Sequence, residues 1–265
     1  MRRNFTLLVL LLGLFFGGCA TDFMSPIPEV QKALAPTGKL RAGIILTNAL
    51  QVTKDAATGE LRGVTIDIGK ELGRRIGVPF EPVGYPSVAA LVESVRSDQW
   101  DIAFLAIDPA RATVMEFAPF MEVEVGYLAR AGSSINALTE IDKPGIRVAV
   151  QDKSAPDIIL SRSLKNAVLV RGSNLPAMIE ILRSGKADAF AANKPNLFSA
   201  SEQLAGSQVL DGRFSTVPYA IATSKGGNVG TAYVQRFVED VKANGLVKSA
   251  IEKAGLRGVV VAPLQ

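Results

Sequence analysis

The stretch Trp100–Arg111, WDIAFLAIDPAR, decides how the chain folds. Ile102 to Ile107 form an unbroken apolar run, as expected of a strand covered on both faces. The run stops at Asp108-Pro109. Asp is a strong N-cap residue, and Pro is tolerated at a first helical position because its missing N–H would go unused there. The reading is a buried strand, an N-cap at Asp108 and a short helix, with Arg111 pointing out one turn later. Ligands of open α/β sheets sit beyond the carboxyl ends of the strands. A guanidinium there, beside the free N–H groups of a helix start, suits a carboxylate. Elsewhere a lone arginine reads as a solvated surface residue; the strand–cap junction assigns Arg111 to a site instead.

The N-terminus carries a targeting pattern. Arg2 and Arg3 precede an almost purely apolar run, Phe5 to Phe16, too short for a transmembrane helix and followed by small residues. Cys19 is the single cysteine. Phe16-Gly17-Gly18-Cys19 resembles the lipobox of bacterial lipoproteins, which implies a signal peptide over 1–18, an acylated Cys19 and attachment to a membrane. The alternative is an ordinary secretory signal with a chance cysteine. A lone cysteine makes no internal disulfide, and once acylated it has no thiol for catalysis. Residues 19–38 contain Pro and Ser, with a short helical stretch at Pro28–Leu34, and read as a tether. The formal charge of +4 includes Arg2 and Arg3, and no basic run interleaves with aromatics, which argues against nucleic acid. With no histidine, the chain lacks the commonest general base and the commonest transition-metal ligand, so neither metal nor cofactor is expected.

The globular part begins at Lys39, with a strand from Leu40, a turn at Asp55–Gly59 and a helix over Thr65–Ile76 stopped by Gly77. Phe80–Val83 is the next strand, and Ser87 caps a helix running to Val95. Ala90, Glu93, Arg96, Ser97 and Asp101 recur as Ala177, Glu180, Arg183, Ser184 and Asp188, each pair 87 residues apart. Leu40-Arg41-Ala42-Gly43 is likewise echoed by Ile146-Arg147-Val148-Ala149. The echo suggests two lobes of like design, each alternating strands and helices. Met121–Ala129 and Thr216–Ser224 read as the strands that cross between them. Ser154, Asn174 and Asn193 read as caps of second-lobe helices, and Val229–Ala243 and Leu246–Ala254 as the last two helices. Strand ends therefore meet helix starts at Asp108, Ser154 and Asn193, and two lobes facing each other with such ends form a cleft.

The ordered pieces GKLRAG, GVTIDIGKEL, DIA…IDPAR, VAVQDKS, ADAFAAN and YAIATSKG resemble the family 3 extracellular solute-binding proteins, the amino-acid receptors of ABC importers. The resemblance covers nearly all of 39–255. It implies an α/β, type II periplasmic-binding-protein fold whose two lobes are mixed sheets flanked by helices and joined by two hinge strands. Lobe one would comprise 39–123 and 217–258, lobe two 124–216, and the C-terminal tail 259–265. It also implies an extracytoplasmic monomer that serves an inner-membrane permease.

Carried over residue by residue, the family's carboxylate-gripping arginine matches Arg111, and its carboxylate-binding helix start in the second lobe matches Ser154, with Lys153 where Gly is usual. The ledge before the arginine falls at Ala106, beside Asp108. The family's ammonium-binding Asp falls at Asn193, and its stacking aromatic falls near Asn48 to Leu50, where no aromatic stands. Carboxylate seating is thus kept and ammonium seating lost. The expected ligand is a small carboxylate, and the loss favours an organic acid or derivative with an apolar body over a standard amino acid; on sequence alone the plain N-cap is the better reading of Asn193. Asp67, Asp101 and Asp188 read as structural carboxylates and Trp100 as core, with Tyr85 and Tyr219 as candidate cleft residues. A periplasmic cyclohexadienyl-dehydratase-like enzyme on the same fold is the alternative; it would need a cleft carboxylate, and nothing places one opposite Arg111. A sensory or structural lipoprotein is the third reading, which neighbouring permease genes would disfavour.

Overall fold

The computed structural model describes residues 27–226 and 229–265. The signal segment 1–18, Cys19 and the start of the tether lie outside the described residues.

The first described element, α1 (Ile27–Leu34), carries Val30 and Leu34 four apart on one face, and both are buried in the main core. The tether drawn to residue 38 is therefore corrected: its second half docks on the first lobe. Strand β1 (Leu40–Ile45) leads to a small hairpin, β2 (Thr53–Lys54) and β3 (Leu61–Arg62), turned by Asp55, whose Oδ1 accepts the N–H groups of Ala57 and Thr58. Helix α2 (Val64–Ile76) buries Ile68, Leu72 and Ile76, and Gly77 ends it at φ 73°, where any other residue would be strained. Next come β4 (Phe80–Tyr85), α3 (Val88–Glu93), capped by the Ser87 hydroxyl, and the wholly buried β5 (Ile102–Ala106).

Strand β6 (Met115–Ala129) carries the chain across. The second lobe follows as β7 (Arg147–Gln151), α4 (Ala155–Ser163), β8 (Val168–Gly172), α5 (Leu175–Arg183), β9 (Ala189–Asn193), α6 (Lys194–Gln203) and β10 (Gln208–Val209). Strand β11 (Ser215–Ser224) returns, and α7 (Val229–Ala243) and α8 (Leu246–Lys253) pack on the first lobe. Finally β12 (Val259–Val261) pairs antiparallel with β6. Those residues were expected in the tail; three successive valines suit a strand once an edge is offered.

The main sheet runs in the order β4-β1-β5-β11-β6-β9-β7-β8. Parallel pairs (β1 with β4 and β5; β7 with β8 and β9) flank the antiparallel crossing strands β11 and β6. Each lobe is thus a mixed sheet covered by helices, and the chain is a two-lobed α/β protein. Phe104 and Phe120 meet edge-to-face in the first core, while Leu128, Met178, Phe190 and Leu197 centre a core of the second.

The internal echo has a physical counterpart. Arg41 donates its backbone N–H and Nε to Asp101 Oδ2 at 2.8 and 3.1 Å, and Nη2 to Oδ1 at 2.7 Å. Arg147 makes the same three bonds to Asp188, at 2.9, 3.1 and 2.8 Å. Each clamp ties the start of a lobe's first strand to the start of the neighbouring one, so both aspartates are structural, as expected. Hydrogen bonding from Arg147 holds the Asp188 carboxyl below the ordinary carboxylate value. A depressed folded value means that the stabilisation is full above the unfolded value, near 3.9, and is lost as pH falls through the folded one. Asp188→Asn should cost about 1 kcal/mol at neutral pH, with the part-exposed Arg147 keeping the figure low. It should also flatten the acid loss of stability below about pH 4; urea titrations across pH check both.

Candidate functional site

The carboxyl ends of β5, β7 and β9 converge on a cavity of about 60 Å³ between the lobes. That is far smaller than pockets for drug-sized ligands and fits a small molecule. Much of its wall is apolar, including Ile45, Leu50, Val88, Leu105, Phe190 and Val217; the polar side chains on it are Asn48, Arg111, Gln151, Ser154, Asn193, Asn196 and Tyr219.

Arg111 is only 5% exposed. Its Nη1 donates to Ala106 O at 2.8 Å in the first lobe, and its Nη2 to Lys153 O at 2.6 Å in the second. A guanidinium has five N–H donors, so these two bonds leave capacity for a ligand. No carboxylate forms an ion pair with it among the described residues. Burial pulls the guanidinium below its ordinary pKa, while Asp108 and Tyr219 act the other way; arginine nonetheless stays charged. The expected helix after Asp108 is only a 3₁₀ turn, Arg111–Thr113, because β6 begins at Met115 and leaves no room for more. Its N-cap is Ala110, without a side-chain cap bond, and Asp108 turns the chain just before it, Oδ1 accepting the N–H groups of Ala110 and Arg111 at 2.9 and 3.3 Å. Among the described residues the guanidinium is the one cationic side chain on the cavity wall.

Tyr219 lies opposite Ala106 in the β11–β5 register. Its hydroxyl donates to Phe104 O at 3.2 Å and is bonded by Gln51 Nε2, and burial raises the phenol pKa. Gln51 is fully buried and also accepts the Ile45 N–H at 2.9 Å, which pins the loop carrying Asn48 and Leu50. Only glycine fits where α2 starts against that loop: a Cβ on Gly63 would sit 2.5 Å from Gln51 O.

In the second lobe, Ser154 caps α4 by accepting the Asp157 N–H at 3.3 Å, and it lines the cavity. Lys153 stands at φ 56°, a left-handed conformation that costs a non-glycine residue. That backbone presents its carbonyl to Arg111, while its Nζ reaches Glu93 of the first lobe at 2.7 Å on the exposed rim. Asn193 caps α6, its Oδ1 accepting the Asn196 N–H at 2.9 Å, and its Nδ2 faces Asn48 Oδ1 across the cleft at 3.5 Å. Asn196 Oδ1 accepts the Ala49 N–H at 2.8 Å. Three polar contacts besides the Lys153–Glu93 pair thus join the lobes around the cavity.

Of the residues expected at the site, Arg111, Ser154, Ala106, Asn193 and Asn48 line the cavity, and Asp108 does not. Tyr219 lines it; Tyr85 sits in a side core with its hydroxyl on Gln99, and Trp100 is buried with its indole N–H on Ser94 Oγ. Sequence reading missed Gln151 and Asn196. Gln151 is the last residue of β7, a strand-end position like that of Asn193, and Asn196 lies one turn beyond that cap. No cluster of Asp, Glu, His or Cys able to hold a metal occurs among the described residues.

The model of the bacterial extracellular solute-binding proteins, family 3, matches residues 40–255. The chain belongs to that family. The ABC transporter glutamine-binding protein of Bacillus subtilis is 22% identical to it over 218 residues, 80% of each chain. An amino acid ABC transporter substrate-binding protein of Streptococcus pneumoniae, solved with L-arginine, aligns at TM-score 0.75 and 21% identity, over 88% of this chain and all 100% of that one. An ancestral amino-acid-binding protein, a precursor of cyclohexadienyl dehydratase, aligns at TM-score 0.73 and 24% identity, over 86% and 98%. These likenesses carry the fold, the two-lobed type II architecture of periplasmic binding proteins. The family is one of extracytoplasmic binding proteins, and this chain is read as one of them rather than as an enzyme. Among the described residues no Asp or Glu lines the cavity, and the titratable side chains on its wall are Arg111 and Tyr219.

Lys153 offers a direct test of the local geometry. Lys153→Gly relieves the left-handed strain and Lys153→Ala does not, while both remove the same rim ion pair. Thermal melts should place Lys153→Gly above Lys153→Ala by about 1 kcal/mol, and equal melts would contradict the strained backbone.

Proposed function

We propose that this protein is the membrane-held receptor of an ABC importer, closing on a small carboxylate-bearing solute and presenting it to a permease. Acylation of Cys19 would provide the anchor. The carboxylate reading rests above all on the buried, charge-unpaired Arg111 in the wall of an inter-lobe cavity. The Ser154-capped start of α4 faces the same cavity; Pro156 has no N–H and the Ser154 and Asp157 N–H groups bond Gln151 O and Ser154 Oγ, so this helix start offers an anion the Ala155 N–H and its dipole.

Closure follows as a population shift. A solute bound in the first lobe gains its second-lobe contacts only when the lobes meet, so it favours the closed form by that difference. A carboxylate between Arg111 and the α4 start supplies such a difference, and it strengthens an arrangement that Arg111 already bridges through Ala106 O and Lys153 O.

Thermal melts against a panel of amino acids, keto acids and aromatic acids should identify ligands by the rise in midpoint. For any acid so found, Arg111→Ala should weaken binding by about tenfold to a hundredfold, the loss of one or more charge-assisted hydrogen bonds. Unchanged affinity in calorimetry would remove Arg111 from the site. Incorporation of labelled palmitate into the full chain, abolished by Cys19→Ser, tests the anchor.

A further inference from the structure

We infer that the solute is a carboxylate without an ammonium group, a small monoanionic organic acid with an apolar body. The inference rests on the reading of Arg111 as the carboxylate seat and narrows it.

The first ground is charge. The cavity wall holds one cation, Arg111, and no Asp or Glu among the described residues. Three acids that neighbour the wall are engaged elsewhere. Asp108 accepts backbone N–H groups of its own turn. Asp157 is held by the Lys153 N–H and Arg171, and Glu93 by the Lys153 ammonium at the rim. A monoanion neutralises the buried guanidinium. A zwitterion would do so and then leave its own ammonium desolvated with no counter-charge.

The second ground is the acceptor inventory. An ammonium brings three donors and no acceptor. Most side-chain oxygens on the wall already accept one N–H and keep a single lone pair: Asn193 Oδ1 from Asn196, Asn196 Oδ1 from Ala49, Ser154 Oγ from Asp157. Asn48 Oδ1 accepts from the Leu50 N–H and Asn193 Nδ2. Gln151 Nε2 donates to Ser173 O, which leaves its Oε1 as a further neutral acceptor. Neutral oxygens of this kind can accept single N–H bonds but give a buried ammonium no counter-charge. The rest of the wall, Ile45, Leu50, Val88, Val125, Phe190 and Val217, suits an aliphatic body.

The test uses the full chain and matched acids differing only in the amino group: valine with isovalerate, leucine with isocaproate, glutamine with glutaramate. Calorimetry at neutral pH should give each ammonium-free acid that binds at least tenfold tighter binding than its amino-acid partner. Asn193→Asp keeps the helix cap and adds the missing carboxylate. It should raise amino-acid affinity about tenfold or more and weaken that of the acids. Amino acids binding as tightly as their partners, with that binding lost in Arg111→Ala, would overturn the inference and leave the carboxylate seat standing. Binding of no acid, or binding indifferent to Arg111→Ala, would overturn both.

Discussion

A single buried guanidinium holds the arrangement together. Arg111 donates to a carbonyl of each lobe, so its position depends on the lobes being together, and no carboxylate forms an ion pair with it among the described residues. A buried charge needs compensation, and dipoles from two carbonyls provide part of it. The remainder is available to an anion from outside. Where the site is built, the β5 end, the Gln51–Tyr219 brace and the left-handed Lys153 backbone all serve to fix the geometry around that group.

The two lobes share a plan with different ends. Their strand starts carry the same Arg–Asp clamp, a rigid device repeated in each. Their strand ends diverge: the first lobe offers a guanidinium and a pinned loop, and the second offers capped helix starts at Ser154 and Asn193. Rigid bases with differing tips are what a two-jawed receptor requires, since the jaws must keep their shape while the ligand fixes their separation.

Much of this was legible because it is local. The caps at Ser87, Ser154, Asn174 and Asn193 each form the side-chain bond that their position implies, and α7 spans the range its periodicity assigns. What escaped depends on partners distant in sequence. Helix α1 reads as tether until a core is there to receive Val30 and Leu34, and β12 reads as tail until β6 offers an edge. The turn after Asp108 looked like a helix start because the early demand of β6 is invisible from the cap. Within the site, Arg111 was found from its strand end, whereas the carbonyl of Lys153 carries no residue-type signal at all. Gln151 and Asn196 take their meaning from lobe juxtaposition, which no single stretch encodes.

An acid is expected to draw the lobes together through Arg111. Small-angle X-ray scattering of the full chain, with and without an acid that raises its melting point, measures this directly. The expected result is a smaller radius of gyration with the acid and no change in Arg111→Ala at the same acid concentration. Equal compaction in the wild type and in Arg111→Ala would contradict it.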